Sequence, residues 1–352
     1  MAQALLSPHS VDLGILPTFL TFTPLIHAPF TPEIAVNFVE RTFRLEAHEG
    51  LGGKPRPELI GPILTHLHDT LQDSVRMGFL HSSRARGRTP AALRHAADVR
   101  YLGHAADGEN ATLLRFEVAR FGEAAGELFR QRVLWDDGPQ PEQTAFELLG
   151  SALNDVAARR VESSRFDPGL LRRIASYRRM FGQGRLQRIG LPDAELPQPG
   201  QLDSVVAATA KELSDATPSP RRVRIAGRLD LMGASQGVLK LDLKPGVIVT
   251  AIWEGEAPLE SLTPHFNRDV VIEGVAVFRP SGSLLRVDAD AIAPARASDE
   301  FFREVPTGTL ARDYARLAQL RPGEKSAYAR ILGSIPAEES DEEFASAIEA
   351  LR

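Results

Sequence analysis

The chain of 352 residues contains no cysteine. That excludes disulfides, thiolate metal sites and cysteine nucleophiles together. Lysine is nearly absent, with five Lys against 36 Arg. Arginine forms bidentate contacts with phosphate and stacks on bases, but an Arg-favouring codon composition produces the same bias, and both accounts stay open. No apolar run approaches the roughly 18 residues that a spanning helix needs. The opening MAQALLSPHSVDLGILPTFL lacks the basic segment of a secretory signal, so a cytoplasmic protein without membrane association is expected. A net charge of −5 exerts no global pull on polyanions, so any such role has to be local. There is no P-loop, no serine elbow, no G-x-G-x-x-G after a strand and no carboxylate pair at hydrolase spacing. No catalytic residue, cofactor or metal is therefore expected.

What is present fits a soluble α+β chain, with 43% hydrophobic and 25% charged residues. The reading has four parts: an N-terminal module of helices and a β-hairpin over 1–190, and a proline-rich linker with a connecting helix over 191–220. An all-β barrel over 221–296 and a helical, acidic tail over 297–352 complete it. In the first part, Thr31, Pro32 and Glu33 start a helix on which Ile34, Phe38 and Thr42 share one side to about Leu45. Ile60, Leu64, Leu67, Leu71 and Val75 predict a second helix from about Pro57 to Phe79. Strands around Ala97–Tyr101 and Thr112–Ala119 alternate as a hairpin turning at Asp107-Gly108. Thr144, with Glu147 three residues on, opens a helix to Arg160 as a capping box. Asp167-Pro168 starts the next, which ends at Gly182. Three prolines mark Leu191–Gln201 as the linker, and a helix over Leu202–Ser214 leads to the TPSP hinge.

From Arg221 the period becomes two. Val223, Ile225, Leu229 and Leu231 face one way, and Arg222, Arg224, Arg228 and Asp230 the other. Val238–Leu243 and Val247–Trp253 follow as strands, then a short helical turn near Leu259–Leu262, then strands over Asp269–Phe278 and Ser283–Ile292. Three strands, a short helix and two strands is the order of an OB barrel. The segments VRIAGRLDLM, GVLKLDLKPG and RDVVIEGVAVFRPSGSLLRVDADAI are similar to OB domains of the tRNA-anticodon-binding type. The resemblance implies a five-stranded barrel whose early strands present a ligand face.

Two basic clusters suit single-stranded RNA or DNA. One is Arg222, Arg224 and Arg228 beside Lys240 and Lys244 on the barrel. The other is Arg172, Arg173, Arg178 and Arg179, with Arg165, Arg185 and Arg188, interleaved with Tyr177 and Phe181. A solvated surface, or an interface to another domain, accounts for the same residues. Thr65-His66-Leu67-His68-Asp69 resembles the opening of the T-H-x-H-x-D-H motif of metallo-β-lactamase-type hydrolases, but its Asp comes one residue early and the final His is missing. On a helix the two histidines point about 200° apart and share no metal. Asp288 and Asp290 lie on an outer strand face that could bind a cation, but a solvated face is the reading preferred.

The tail EESDEEFASAIEAL sets Phe344, Ile348 and Leu351 at i, i+4 and i+7 behind a run of acids. It resembles the C-terminal tails of antitoxin-like proteins that neighbour PIN-domain ribonuclease toxins. That implies a second reading, in which these three residues hold a basic protein partner such as a PIN-type nuclease. A tail docked on its own chain remains the alternative. The reading that leads is a non-catalytic nucleic-acid-binding protein.

Overall fold

The computed structural model describes residues 38–48, 54–84, 90–129, 138–181, 186–191, 200–233 and 237–309. These residues all belong to one compact unit, Val36–Arg352. They are arranged around two hydrophobic cores.

The first core lies between helices and a five-stranded sheet. The chain enters it through β1 (Phe38–Glu46), which corrects the helix expected to run to Leu45. Arg41, Phe43, Leu45 and Ala47 alternate inward. A buried Arg in that series hides the period-two signal, while Phe38 and Thr42 imitate a helical spacing. Helix α1 (Pro57–Leu80) has proline in its first turn and stops where His81 takes a left-handed φ of 53°. A short helix α2 (Ala91–Ala96), absent from the sequence reading, precedes the hairpin of β2 (Val99–Ala106) and β3 (Ala111–Ala119). Two four-residue helical turns, α3 (Phe121–Ala124) and α4 (Gly126–Phe129), follow.

Helix α5 (Ala145–Ala157) carries the expected capping box: the Thr144 backbone N–H donates to Glu147 Oε2 at 2.7 Å, and Thr144 Oγ1 accepts from Phe146 N at 3.3 Å. Helix α6 (Pro168–Ser176) is capped by Asp167, whose Oδ1 accepts from Leu170 N at 2.9 Å, and α7 (Arg178–Phe181) continues it. The three-residue strands β4 (Arg188–Gly190) and β5 (Gln201–Asp203) then complete the sheet in the order β2-β3-β1-β4-β5. Helix α8 (Ser204–Ala216) packs beside them, with Val206, Ala207, Ala210 and Leu213 in the first core.

The segment read as an interdomain linker is thus bracketed by paired strands. Ile189 faces Leu202, and Leu191 N donates to Gly200 O at 2.9 Å. Three-residue strands are too short for an alternation to register, and prolines in a hairpin connection read like prolines in a linker.

The second core is a closed barrel in the strand order β10-β8-β7-β6-β9. It comprises β6 (Arg221–Gly233), β7 (Val238–Lys244) and β8 (Val247–Trp253), then a 3-10 turn (Leu259–His265), β9 (Asp269–Phe278) and β10 (Leu284–Pro294). Pairing is antiparallel except between β8 and β10, where Val287 faces Ala251 in parallel. Ile225, Leu229, Leu239, Leu241, Ile272 and Val287 are fully buried, and Val223 is half-buried. Gly274 allows the β9–β10 crossing, since a Cβ there would stand 2.2 Å from Asp288 O.

The cores meet at the β9–β10 hairpin. Val277 and Leu285 pack into the first core, and Ser283 Oγ donates to Glu162 Oε2 at 2.6 Å. After the barrel the chain forms a 3-10 turn (Ala297–Phe302) at the start of the segment read as a helical tail. Residues 310–352, which include the acidic tail, lie outside the described residues. No described helix is long and apolar enough to cross a membrane.

Candidate nucleic-acid interface

The outer face of β6 carries Arg222, Arg224 and Arg228, all exposed, because Ile225 and Leu229 take the alternate, inward positions. Their environments differ. Arg222 forms a bidentate pair with Asp290, at 2.7 and 3.0 Å. Arg224 pairs with Glu273 at 3.0 Å, has Asp299 at 3.9 Å, and stacks over the Phe302 ring at 4.8 Å. Arg228 instead donates to the neutral amide oxygen of Asn267, from Nε at 2.7 Å. On β7, Lys240 is half-buried and Lys244 is exposed, and neither has an ion-pair partner among the described residues. Arg228, Lys240 and Lys244 are therefore the cations of the stripe without an ion pair, with Asp242 of β7 and Asp269 of β9 as the cross-strand neighbours of Arg228. The carboxylates that neutralise Arg222 and Arg224 come from β9, β10 and the 3-10 turn after them.

The second basic cluster does not join this stripe through any described contact. Arg173 faces α1, donating to Asp73 and Asp69 at 3.0 Å each. Burial pushes the Asp73 carboxyl above its ordinary range against the pull of Arg173. Burial also works against the Arg173 charge, but Asp73 and Asp69 hold its pKa above the usual value. Arg172 Nε donates to Pro168 O at 3.0 Å. Arg178 and Arg179 are exposed at the end of the α6–α7 run. Arg165 pairs with Asp155 at 3.0 Å, and Arg188 with Glu46 at 3.6 Å. Tyr177 and Phe181 are buried, so neither presents a ring to a ligand. Arg185 lies outside the described residues.

The histidines and aspartates singled out in the sequence are each accounted for locally. His66 rests against Tyr177, 5.6 Å between ring centroids, and His68 contacts Gln72 at 2.8 Å. Among the described residues no group of three or more His, Asp or Glu is placed to hold a metal ion. Asp290 is taken by Arg222, and Asp288 by Arg286 at 2.7 Å. Phe344, Ile348 and Leu351 lie outside the described residues.

Sequence reasoning missed a polar cluster where the two cores join. Arg286, 5% exposed, donates to Asp167 Oδ2 at 3.2 Å and to His81 O at 2.9 Å. Asp167 also accepts from Ser83, from N at 3.1 Å and Oγ at 2.6 Å, while capping α6. Nothing in a single sequence links residues 119 positions apart. Beside Arg224, a cleft of about 520 Å³ is lined by Glu273, Ile292, Arg296, Ser298 and Asp299. Its charges alternate, so it offers no field of one sign.

Neither protein-family models, nor curated proteins, nor solved structures give a match to this chain.

Proposed function

We propose that this is a non-catalytic protein that binds single-stranded RNA or DNA on an OB-type barrel. Numbered within the barrel, its strands run 1-2-3-5-4, with strands three and five parallel and a short helix between three and four. That supports the OB reading, a fold whose early strands present a face to oligonucleotides. The observation that carries the function is the set Arg228, Lys240 and Lys244. These are three cations on the first two strands with no carboxylate partner among the described residues. Arg222 and Arg224 are excluded from the centre of the site, because each would have to leave an ion pair to meet a phosphate. The loop of residues 279–283 is turned toward the first core, where Ser283 Oγ donates to Glu162, and Arg228 and Lys244 are exposed on β6 and β7.

The test is fluorescence anisotropy of a short labelled single strand at several salt concentrations. Changing Arg228, Lys240 and Lys244 together to Ala should weaken binding about tenfold or more and flatten the salt slope by about two. Changing Arg222 and Arg224 together should have a smaller effect. If the wild-type chain does not bind near physiological salt, the proposal is wrong.

A further inference from the structure

Single strands are held by cations that track phosphates and by rings on which bases stack. The barrel face supplies the cations, but its aromatic residues are few. We infer that Phe266 is the stacking platform and that the turn carrying it, 266–268, is a base-binding subsite. This rests on the nucleic-acid reading above and extends it to a residue outside the strands.

Phe266 is 50% exposed, and its ring stacks on no other ring or guanidinium among the described residues. It stands on a turn whose backbone is held from several directions. Phe266 N donates to Thr263 O at 3.1 Å and Arg268 N to His265 O at 3.2 Å. Asn267 takes a left-handed φ of 59°, a conformation that asparagine tolerates better than most residues. Two backbone bonds then join the turn to β6: Asn267 N donates to Leu229 O at 2.8 Å, and Leu229 N to Arg268 O at 3.0 Å. The Arg228 guanidinium closes the arrangement on Asn267 Oδ1. The ring is therefore presented by a fixed backbone, so little ordering is left for the ligand to impose.

Charge selects the ligand. The Arg228 guanidinium is held on Asn267, the residue after Phe266, and Arg268, exposed and without an ion-pair partner among the described residues, comes two residues after the ring. A base on the ring face would place its flanking phosphates near these two cations. Phe301, 82% exposed, offers a larger open ring. It follows Asp299 and Glu300, with Glu304 close behind, and that setting repels a phosphate chain.

The experiment uses the full chain and two probes: a labelled oligothymidylate of about ten nucleotides and an abasic phosphodiester oligomer of equal length. Phe266→Ala should weaken oligothymidylate binding about fivefold to a hundredfold, with the abasic oligomer changed by less than about twofold. Phe266→Trp should restore the loss, and Arg268→Ala should weaken both probes. Melting curves confirm that each variant is folded. If Phe266→Ala matches wild type on both probes, the platform is refuted while the barrel-face reading stands. An equal loss on both probes also refutes it, since the ring would then act by shaping the turn. Wild-type protein that binds neither probe refutes the nucleic-acid reading and this inference with it.

Discussion

The two cores of this molecule treat charge in opposite ways. Apolar side chains such as Ile225, Leu241 and Val287 fill the barrel, and Arg222 and Arg224 of β6 stand outside it in ion pairs open to water, whereas Arg286 of β10 is buried toward the first core. The helix-and-sheet layer buries charge. Arg41 bonds Glu147 at 2.8 Å with both side chains under 10% exposed, Asp73 lies beneath Arg173, and Asp167 receives Arg286. An inside and an outside that differ so cleanly make a strand pattern easy to read. A core that admits paired ions breaks the pattern at those positions. It also concentrates stability in a few bonds whose loss leaves a charge stranded.

Breaking the lock between the cores should give the largest effect. Arg286→Ala leaves Asp167 buried beside Ser83 without its cation, and a loss of about 3–5 kcal/mol is expected in denaturant unfolding. In the barrel the comparable test is a cavity. Leu241 is fully buried in the apolar ring, and Leu241→Ala should destabilise by about 2–5 kcal/mol, toward the lower end if neighbouring side chains collapse into the space. A loss below about 1 kcal/mol for Arg286→Ala would show that Asp167 does not depend on its buried cation.

A smaller effect sharpens the description of the first core. Tyr177 is fully buried, and burial pushes its phenol well above the ordinary value, against the opposing effect of its hydrogen bond to Thr70. The unfolded chain ionises this group near pH 10, while the folded chain keeps it neutral. Its contribution is thus fully present below about pH 10 and is lost as pH rises through the higher folded value. Tyr177→Phe should cost about 1 kcal/mol near neutrality through the lost hydrogen bond. It should also show a shallower alkaline decline than wild type in pH-dependent melting. An unchanged alkaline decline would mean that the phenol is not withheld from water.

The smallest effect belongs to the barrel surface. Arg222→Ala removes an exposed pair with Asp290, and the melting temperature should not move measurably at physiological salt. A clear drop would show that the outer ion pairs hold the barrel as the buried ones hold the first core.

How much of this was legible follows the same division. Val223 to Leu231 alternate except at Ala226, which is buried out of phase, and the strands from Val238, Val247 and Asp269 are observed where turn residues bound them in the sequence. The capping signals at Thr144 and Asp167 were equally plain, because each cap acts within three residues of its own helix. The strand β1 was not legible, since Arg41 occupies an inward position that pattern reading assigns to an apolar side chain. The strands β4 and β5 were too short to carry a period at all.

The candidate site was half visible. Local alternation is a property of the backbone, so the sequence by itself determined that Arg222, Arg224 and Arg228 share the outer face of one strand and that Ile225 and Leu229 fill the barrel. Which of those cations remain available was decided only by the tertiary structure. Closing the ring brings Asp290 and Glu273 from distant strands onto Arg222 and Arg224, and brings the Asn267 turn, with Phe266 and Arg268, against Arg228. Coulomb and hydrogen-bond partners act over a few ångströms of space whatever their separation in the chain, and no one-dimensional pattern contains that distance.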